Sequence, residues 1–193
     1  MNKARVEFFS DAVFAIVITL LILDIHVPEV AYSALPHALE ETVPNLISYL
    51  LSFTVIGLYW VGHHYYFRFV KKVNNVLLWL NLFHLLLVSL IPIPTALMGA
   101  YPFQPIPILI YGLNLLALNL YSLLVLYYFH THKQVVTPAF TDEIFKRFIN
   151  LFLIVNGAYL VAIAISFLSP ITSFIIYILT LLFAIKIYAI RES

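Results

Sequence analysis

The 193-residue chain contains no cysteine. Disulfides, thiolate metal sites and cysteine nucleophiles are therefore excluded, and thiols give no reading of the redox compartment. Charge is almost as scarce: Asp, Glu, Lys and Arg make up 10% of the residues, against 63% hydrophobic. A water-soluble domain could not hide that much apolar surface in one core, so the chain reads as an all-α integral membrane protein. The formal net charge of +1 says nothing by itself about a nucleic-acid partner, and none is expected of this chain. Internal repeats, low-complexity segments and a soluble domain are also missing, which leaves residues 1–193 as one transmembrane unit. The first apolar run is too long for a signal peptide and ends in Asp24 and His26, so it is expected to persist as mature structure.

What is present is a series of apolar stretches of roughly 20 to 25 residues, enough to cross about 30 Å of hydrocarbon. They run from Val6 to Val27, Val43 to Phe67, Val76 to Ala100, Ile106 to Phe129, Phe148 to Leu168 and Ile171 to Ile190. Prolines and polar clusters separate these six spans, with Pro28 and Pro36 placed before the second. Lys3 and Arg5 precede the first span. Arg68, Lys71 and Lys72 follow the second, Lys133, Lys146 and Arg147 lie around the fourth connection, and Lys186 and Arg191 end the chain. The other connections carry no Lys or Arg. Basic residues stay on the cytoplasmic side, so six spans with both termini cytoplasmic place all of these charges on one face. Asp24, Glu29, Glu40 and Glu41 make the opposite mouth acidic.

Alternation of helix direction then brings polar residues of three spans to one level. Ser10 and Asp11 lie near the cytoplasmic end of span one, Trp60, His63 and His64 near that of span two, and Trp79, Asn81 and His84 near the start of span three. Two readings of this layer stand. It is a structural network that fixes helix packing, or Asp11 with His63 or His64 is a proton relay or ion site. Adjacent histidines diverge by about 100° on a helix, which speaks against a metal site. Pro92 and Pro94 interrupt span three, which predicts a static kink supported by Ser89 and Thr95 or, as the alternative, a hinge or broken helix at a substrate site. Gly57 and Gly62 would permit close approach of span two to a neighbour.

Angles separate roles along span one. With Ile16 as zero, Phe9, Ala12, Thr19, Leu20, Leu23 and Val27 fall within about 60° of one meridian, whereas Ser10 and Asp11 lie about 120° and 140° away. Periodicity alone leaves open whether that meridian meets lipid, protein or a pore.

Arg5-x-x-x-Phe9-Ser10-Asp11, followed by "AVFAIVITLLILDIHVP", resembles the first helix of the transmembrane protein 175 family of bacterial and endolysosomal potassium channels. "YWVGHHYYF" (Tyr59 to Phe67) and "LLWLNLFHLLLVSLIPIPTAL" (Leu77 to Leu97) extend the resemblance. It covers the first half of the chain; the second half is similar in hydropathy only. Two departures are mild: Ala12 stands where a glycine is expected and Phe8 where a smaller residue is.

The resemblance implies a homotetramer in a bacterial plasma membrane, with four copies of span one around a central pore. Ile16 would form a hydrophobic constriction, Thr19 a polar layer beside it, and Leu20 and Leu23 the pore wall further out. Arg5, Phe9, Ser10 and Asp11 would belong to the motif network that holds the pore helices, with Trp60, His63, His64, Trp79 and Asn81 as partners. Permeant potassium would be the only ligand, with no cofactor. The chain has no TVGYG-like loop, so preference for potassium would come from partial dehydration at the Ile16 ring, since potassium sheds water more cheaply than sodium. The alternative function is a proton-coupled secondary transporter using Asp11 and His63 or His64. A membrane-embedded enzyme would need a nucleophile or metal constellation, and Ser10 with Asp11 and the histidines is explained without one.

Overall fold

Helices begin by two different rules at the two ends of this bundle. The computed structural model describes residues 2–189, with helices α1 (Lys3–Leu20), α2 (Leu35–Phe67), α3 (Asn75–Ser89), α4 (Pro92–Ala100), α5 (Pro105–Thr131), α6 (Asp142–Ile165) and α7 (Pro170–Ala189). Among the described residues six helical segments are long and apolar enough to cross a bilayer, α3 and α4 together forming the third. At one end, α1, α3 and α6 open on polar caps. Asn2 accepts the Ala4 N–H at 3.0 Å, Asn74 that of Leu77 at 2.9 Å, and Thr141 that of Ile144 at 3.3 Å. At the other end α2, α5 and α7 open on Pro36, Pro105 and Pro170. Proline suits a first turn because the N–H it lacks would have had no helical partner.

The basic connections converge on the polar-capped end. An isolated bridge pairs Val70 with Val136, the Lys71 N–H donates to the Val135 carbonyl at 2.8 Å, and the Thr137 N–H donates to Phe69 at 2.7 Å. The α2–α3 and α5–α6 connections are thus tied together on one side. Lys133 there donates to Asp142 at 2.8 Å. Arg191 lies outside the described residues.

Two expected boundaries are corrected. Span two begins at Leu35 rather than Val43, because Pro36 falls within its first turn, where proline is tolerated. Its 33 residues reach roughly 50 Å at 1.5 Å per residue, and its outer turns, with Glu40 and Glu41, stand on a helix and not in a loop. Span three is two helices, because Pro92 and Pro94 supply no N–H to the ladder after Ser89. Ser89 instead donates to the Leu86 carbonyl at 2.8 Å and Thr95 to that of Ile91 at 2.8 Å. The Ser52 hydroxyl lies 2.7 Å from Thr95 Oγ1 and donates to Tyr111 at 3.2 Å, so α2 and α5 brace the break.

α5 is the central helix, with Ile108, Tyr111, Leu115, Leu118, Leu126 and Phe129 buried. It packs on α6, α6 packs on α7, and α2 packs on α4. Gly112 allows α7 close to α5, since a Cβ there would strike the Tyr177 hydroxyl and Ile163. That hydroxyl donates to the Ile108 carbonyl at 3.1 Å. α1 is held differently: it rests against α2 and α3 along one face.

Candidate functional site

The two faces of α1 have opposite environments. Val6, Ser10, Phe14, Val17 and Leu21, spaced three or four residues apart, are buried against α2 and α3. Phe9, Ala12, Ile16, Thr19 and Leu20 are exposed, and the strip continues through Leu23 and Val27 beyond the helix end. Ile16 is 57% and Leu23 66% exposed, so no element of the same subunit covers this strip. The Thr19 hydroxyl donates within its own helix, to the carbonyls of Ala15 and Ile16 at 2.9 Å each. Its donor is therefore satisfied while its side chain stays on the bare strip.

Behind the bare strip lies a continuous polar layer. The Ser10 hydroxyl, wholly buried, donates to the Val6 carbonyl at 2.8 Å and accepts from Asn81 Nδ2 at 2.9 Å. The Asn81 amide oxygen lies 2.8 Å from His63 Nε2. An amide oxygen only accepts, so that nitrogen carries the proton and the histidine tautomer is assigned. The His63 ring is packed 4.4 Å from Phe67 and parallel to His84 at 5.8 Å between centroids. One hydrogen-bonded chain, Ser10 to Asn81 to His63, therefore joins α1, α3 and α2.

Asp11 takes another route. Its Oδ1 accepts from Trp60 Nε1 at 2.8 Å, and this is its one hydrogen bond among the described residues. The pair lies on an open groove of about 340 Å³ that Phe14, Ala15, Ile18 and Gly57 also line. Gly57 does not mediate the expected close approach: nothing stands within 4 Å of where its Cβ would be. The missing side chain keeps the groove open beside the carboxylate. His64 is exposed, with its ring 6.3 Å from that of Trp60. Trp79 is 71% exposed on α3 and Arg5 is exposed on α1. Neither has a hydrogen bond or ion pair among the described residues. The structure thus brings Ser10, Asn81 and His63 together, joins Asp11 to Trp60, and leaves Arg5, His64 and Trp79 facing outward.

His84 is the residue that sequence reading placed at this level without giving it a role. It is wholly buried, neither ring nitrogen has a hydrogen-bond partner, and it stacks on Tyr121 at 4.8 Å. Its position three residues after Asn81 puts both on the same face of α3, a spacing that could have pointed to it. Among the described residues no group of His, Cys, Asp and Glu is arranged to hold a metal ion.

Fold and site together define a six-span helical membrane protein whose first helix, anchored from behind by polar contacts, leaves an apolar strip uncovered. The family model described as endosomal/lysosomal potassium channel TMEM175 matches residues 5–92. A solved structure of a lysosomal potassium-selective channel TMEM175 homologue from Chamaesiphon minutus superposes with a TM-score of 0.80 at 32% identity, covering 99% of this chain and 98% of that one. The chain belongs to the TMEM175 family. A Chryseobacterium protein named a potassium channel is 42% identical over 116 residues, covering 60% of this chain and 59% of its own. The human protein named endosomal/lysosomal proton channel TMEM175 is 39% identical over 114 residues, covering 54% of this chain and 23% of its own. The chain thus spans less than two thirds of the length of these two relatives.

Proposed function

We propose that this protein is a potassium-permeable, modestly potassium-selective channel, not an enzyme, formed by four copies with α1 innermost. The observation that carries the reading is the bare strip of α1: Phe9, Ala12, Ile16, Thr19, Leu20 and Leu23 point away from their own subunit. In the proposed tetramer the four strips face one another across the axis. Ile16 is the constriction, narrow and apolar, which gates by dewetting or makes an ion shed part of its hydration shell. Thr19 forms the neighbouring polar ring, and Leu20 and Leu23 line the outer path.

The remaining site residues set the position of that strip. Ser10, Asn81 and His63 fix the rotation of α1 about its axis, so that Ile16 faces the pore. Asp11 has one donor within the subunit, and Arg5, just before the first span, has no acceptor among the described residues; a carboxylate at membrane depth with so few partners is costly. Contacts across the subunit boundary, in reach of Trp60, His64 and Trp79, satisfy them. The protein sits in a bacterial plasma membrane with both termini cytoplasmic. The Lys and Arg distribution and the bridge that holds two basic connections together support this orientation.

The test is cation flux through purified protein in liposomes, with oligomeric state measured on the same sample. Potassium uptake exceeding sodium uptake through a tetramer is the expected result. Absent potassium flux, or equal flux of the two ions, overturns the reading. Because the human relative is named a proton channel, a pH-sensitive dye in the same vesicles measures proton conduction; uptake coupled to a proton gradient and saturable in substrate would replace the channel by a transporter.

A further inference from the structure

At the end of the bundle away from the basic connections, a cavity of about 270 Å³ lies between the outer turns of α2, the α4–α5 connection and α7. Its wall is mostly apolar, with Val43, Ile47, Met98, Phe103, Ile108 and Phe174, and Glu40 and Ser48 also line it. Glu40, exposed at the outer end of α2, is the one charged residue of the lining. The carbonyl of the same residue lacks its helical donor, because Pro44, four residues on, has no N–H. Ser48 is 4% exposed, lines the cavity, and its hydroxyl has no hydrogen bond among the described residues. Its oxygen is not among the fully enclosed polar atoms that lack a partner, so it remains accessible where Ser48 lines the cavity, and a ligand or water group can bond it there.

A further feature lies in the wall. Phe103 has φ 58°, the left-handed region that an aromatic residue rarely adopts. Its ring meets that of Phe174 edge-on at 6.4 Å. Non-glycine residues in this region concentrate at ligand clamps and other functional sites. Here the backbone turn places Phe103 in the cavity wall.

We propose that this cavity is a binding site for small hydrophobic amines. The protonated nitrogen sits at Glu40, donating to its carboxylate, and the hydrocarbon body lies along Val43, Ile47 and Phe174 toward Ser48. Glu40 is an acidic group in a lining with no Lys or Arg, which selects a cation over an anion. The volume lies just below the roughly 300 Å³ at which ligand pockets begin, which suits one short chain and not a two-chain lipid. The site is separate from the proposed pore and does not rest on that reading.

The chain has no cysteine, so a single introduced thiol reports on the cavity without background. In Val43→Cys, at the rim, the rate of modification by a small thiol reagent is measured with increasing hexylamine, hexanol or hexanoate. The expected result is saturable slowing by hexylamine of at least fivefold, with hexanoate without effect and hexanol weaker by several-fold. Adding Glu40→Gln, an exposed position whose replacement spares the fold, should abolish the protection by hexylamine; an unchanged elution profile checks that the fold is kept. Equal protection by hexylamine and hexanol, protection that survives Glu40→Gln, or no protection by hexylamine at any concentration would each overturn the proposal.

Discussion

One helix, α1, presents two faces of nearly the same composition that have been put to opposite uses. The face of Val6, Phe14, Val17 and Leu21 is apolar and buried; the face of Phe9, Ile16, Leu20 and Leu23 is apolar and bare. Ile16 and Val17 are adjacent and both β-branched, yet one is 57% exposed and the other 4%. Hydrophobicity does not separate them. One polar difference between the faces is a wholly buried hydroxyl, Ser10, held by Asn81 and through it by His63. A helix apolar all round can rotate about its axis at little cost, and a directional hydrogen bond removes that freedom.

The sharpest way to break this comparison is to put the same polar group on each face in turn. Ile16→Asn should hydrate the proposed constriction, raising potassium conductance severalfold and eroding selectivity against sodium, with the unfolding midpoint in detergent little changed. An unaltered current would remove Ile16 from the ion path. Val17→Asn, one residue on, buries an amide without a partner and should lower stability by about 1–3 kcal/mol while the conductance of the surviving protein stays the same. If the two variants behave alike in both assays, the two faces are not distinct.

A smaller effect is expected from the layer that fixes the rotation. Asn81→Leu leaves Ser10 and His63 buried without their shared partner and should cost about 2 kcal/mol. Loss of potassium selectivity in the folded fraction would follow if rotation of α1 matters to the pore. His84→Phe tests the opposite sign. Both ring nitrogens of His84 are buried without partners, so an apolar ring of similar shape should stabilise the subunit by about 1 kcal/mol. A lower unfolding midpoint would show that the imidazole is needed.

Much of this arrangement was legible in the residues. The six spans follow from hydropathy, and the Ile16 meridian falls on the exposed side of α1 because helical angle is fixed by backbone geometry, although that side is wider and also holds Phe8, Ala15 and Ile22. The common level of Ser10, His63 and Asn81 follows from alternating helix direction. Pairings inside that level were not legible, since depth orders residues along the membrane normal but not around each helix. His63 turned inward and its neighbour His64 outward for this reason. The start of α2 was hidden by Pro36, which reads as a breaker in a sequence and as a first-turn residue in a helix. The break between α3 and α4 was signalled by Pro92 and Pro94, but its bracing by Ser52 and Tyr111 comes from helices distant in sequence. The family model ends at residue 92, close to the point where short motifs give way to hydropathy.

Asp11 lies between the two faces, and the smallest predicted change in the fold concerns it. It is neither in the buried layer nor on the bare strip, and the groove beside it is open because Gly57 contributes no side chain. Trp60→Phe removes its indole donor but keeps an aromatic ring. Interhelical hydrogen bonds in membranes average about 0.6 kcal/mol, so the subunit's unfolding midpoint should move little. If a neighbouring copy covers the groove, as the proposed tetramer requires, the same change leaves a carboxylate short of donors at a subunit boundary, and the tetramer fraction in mild detergent should fall much more than the melting point does. Asp11→Asn, which removes the charge itself, should shift assembly in the same direction with the Ile16 conduction properties kept in whatever tetramer forms. A tetramer fraction untouched by both variants, with altered permeation, would move Asp11 from the subunit boundary to the ion path and erase the division between the two faces at the end of α1.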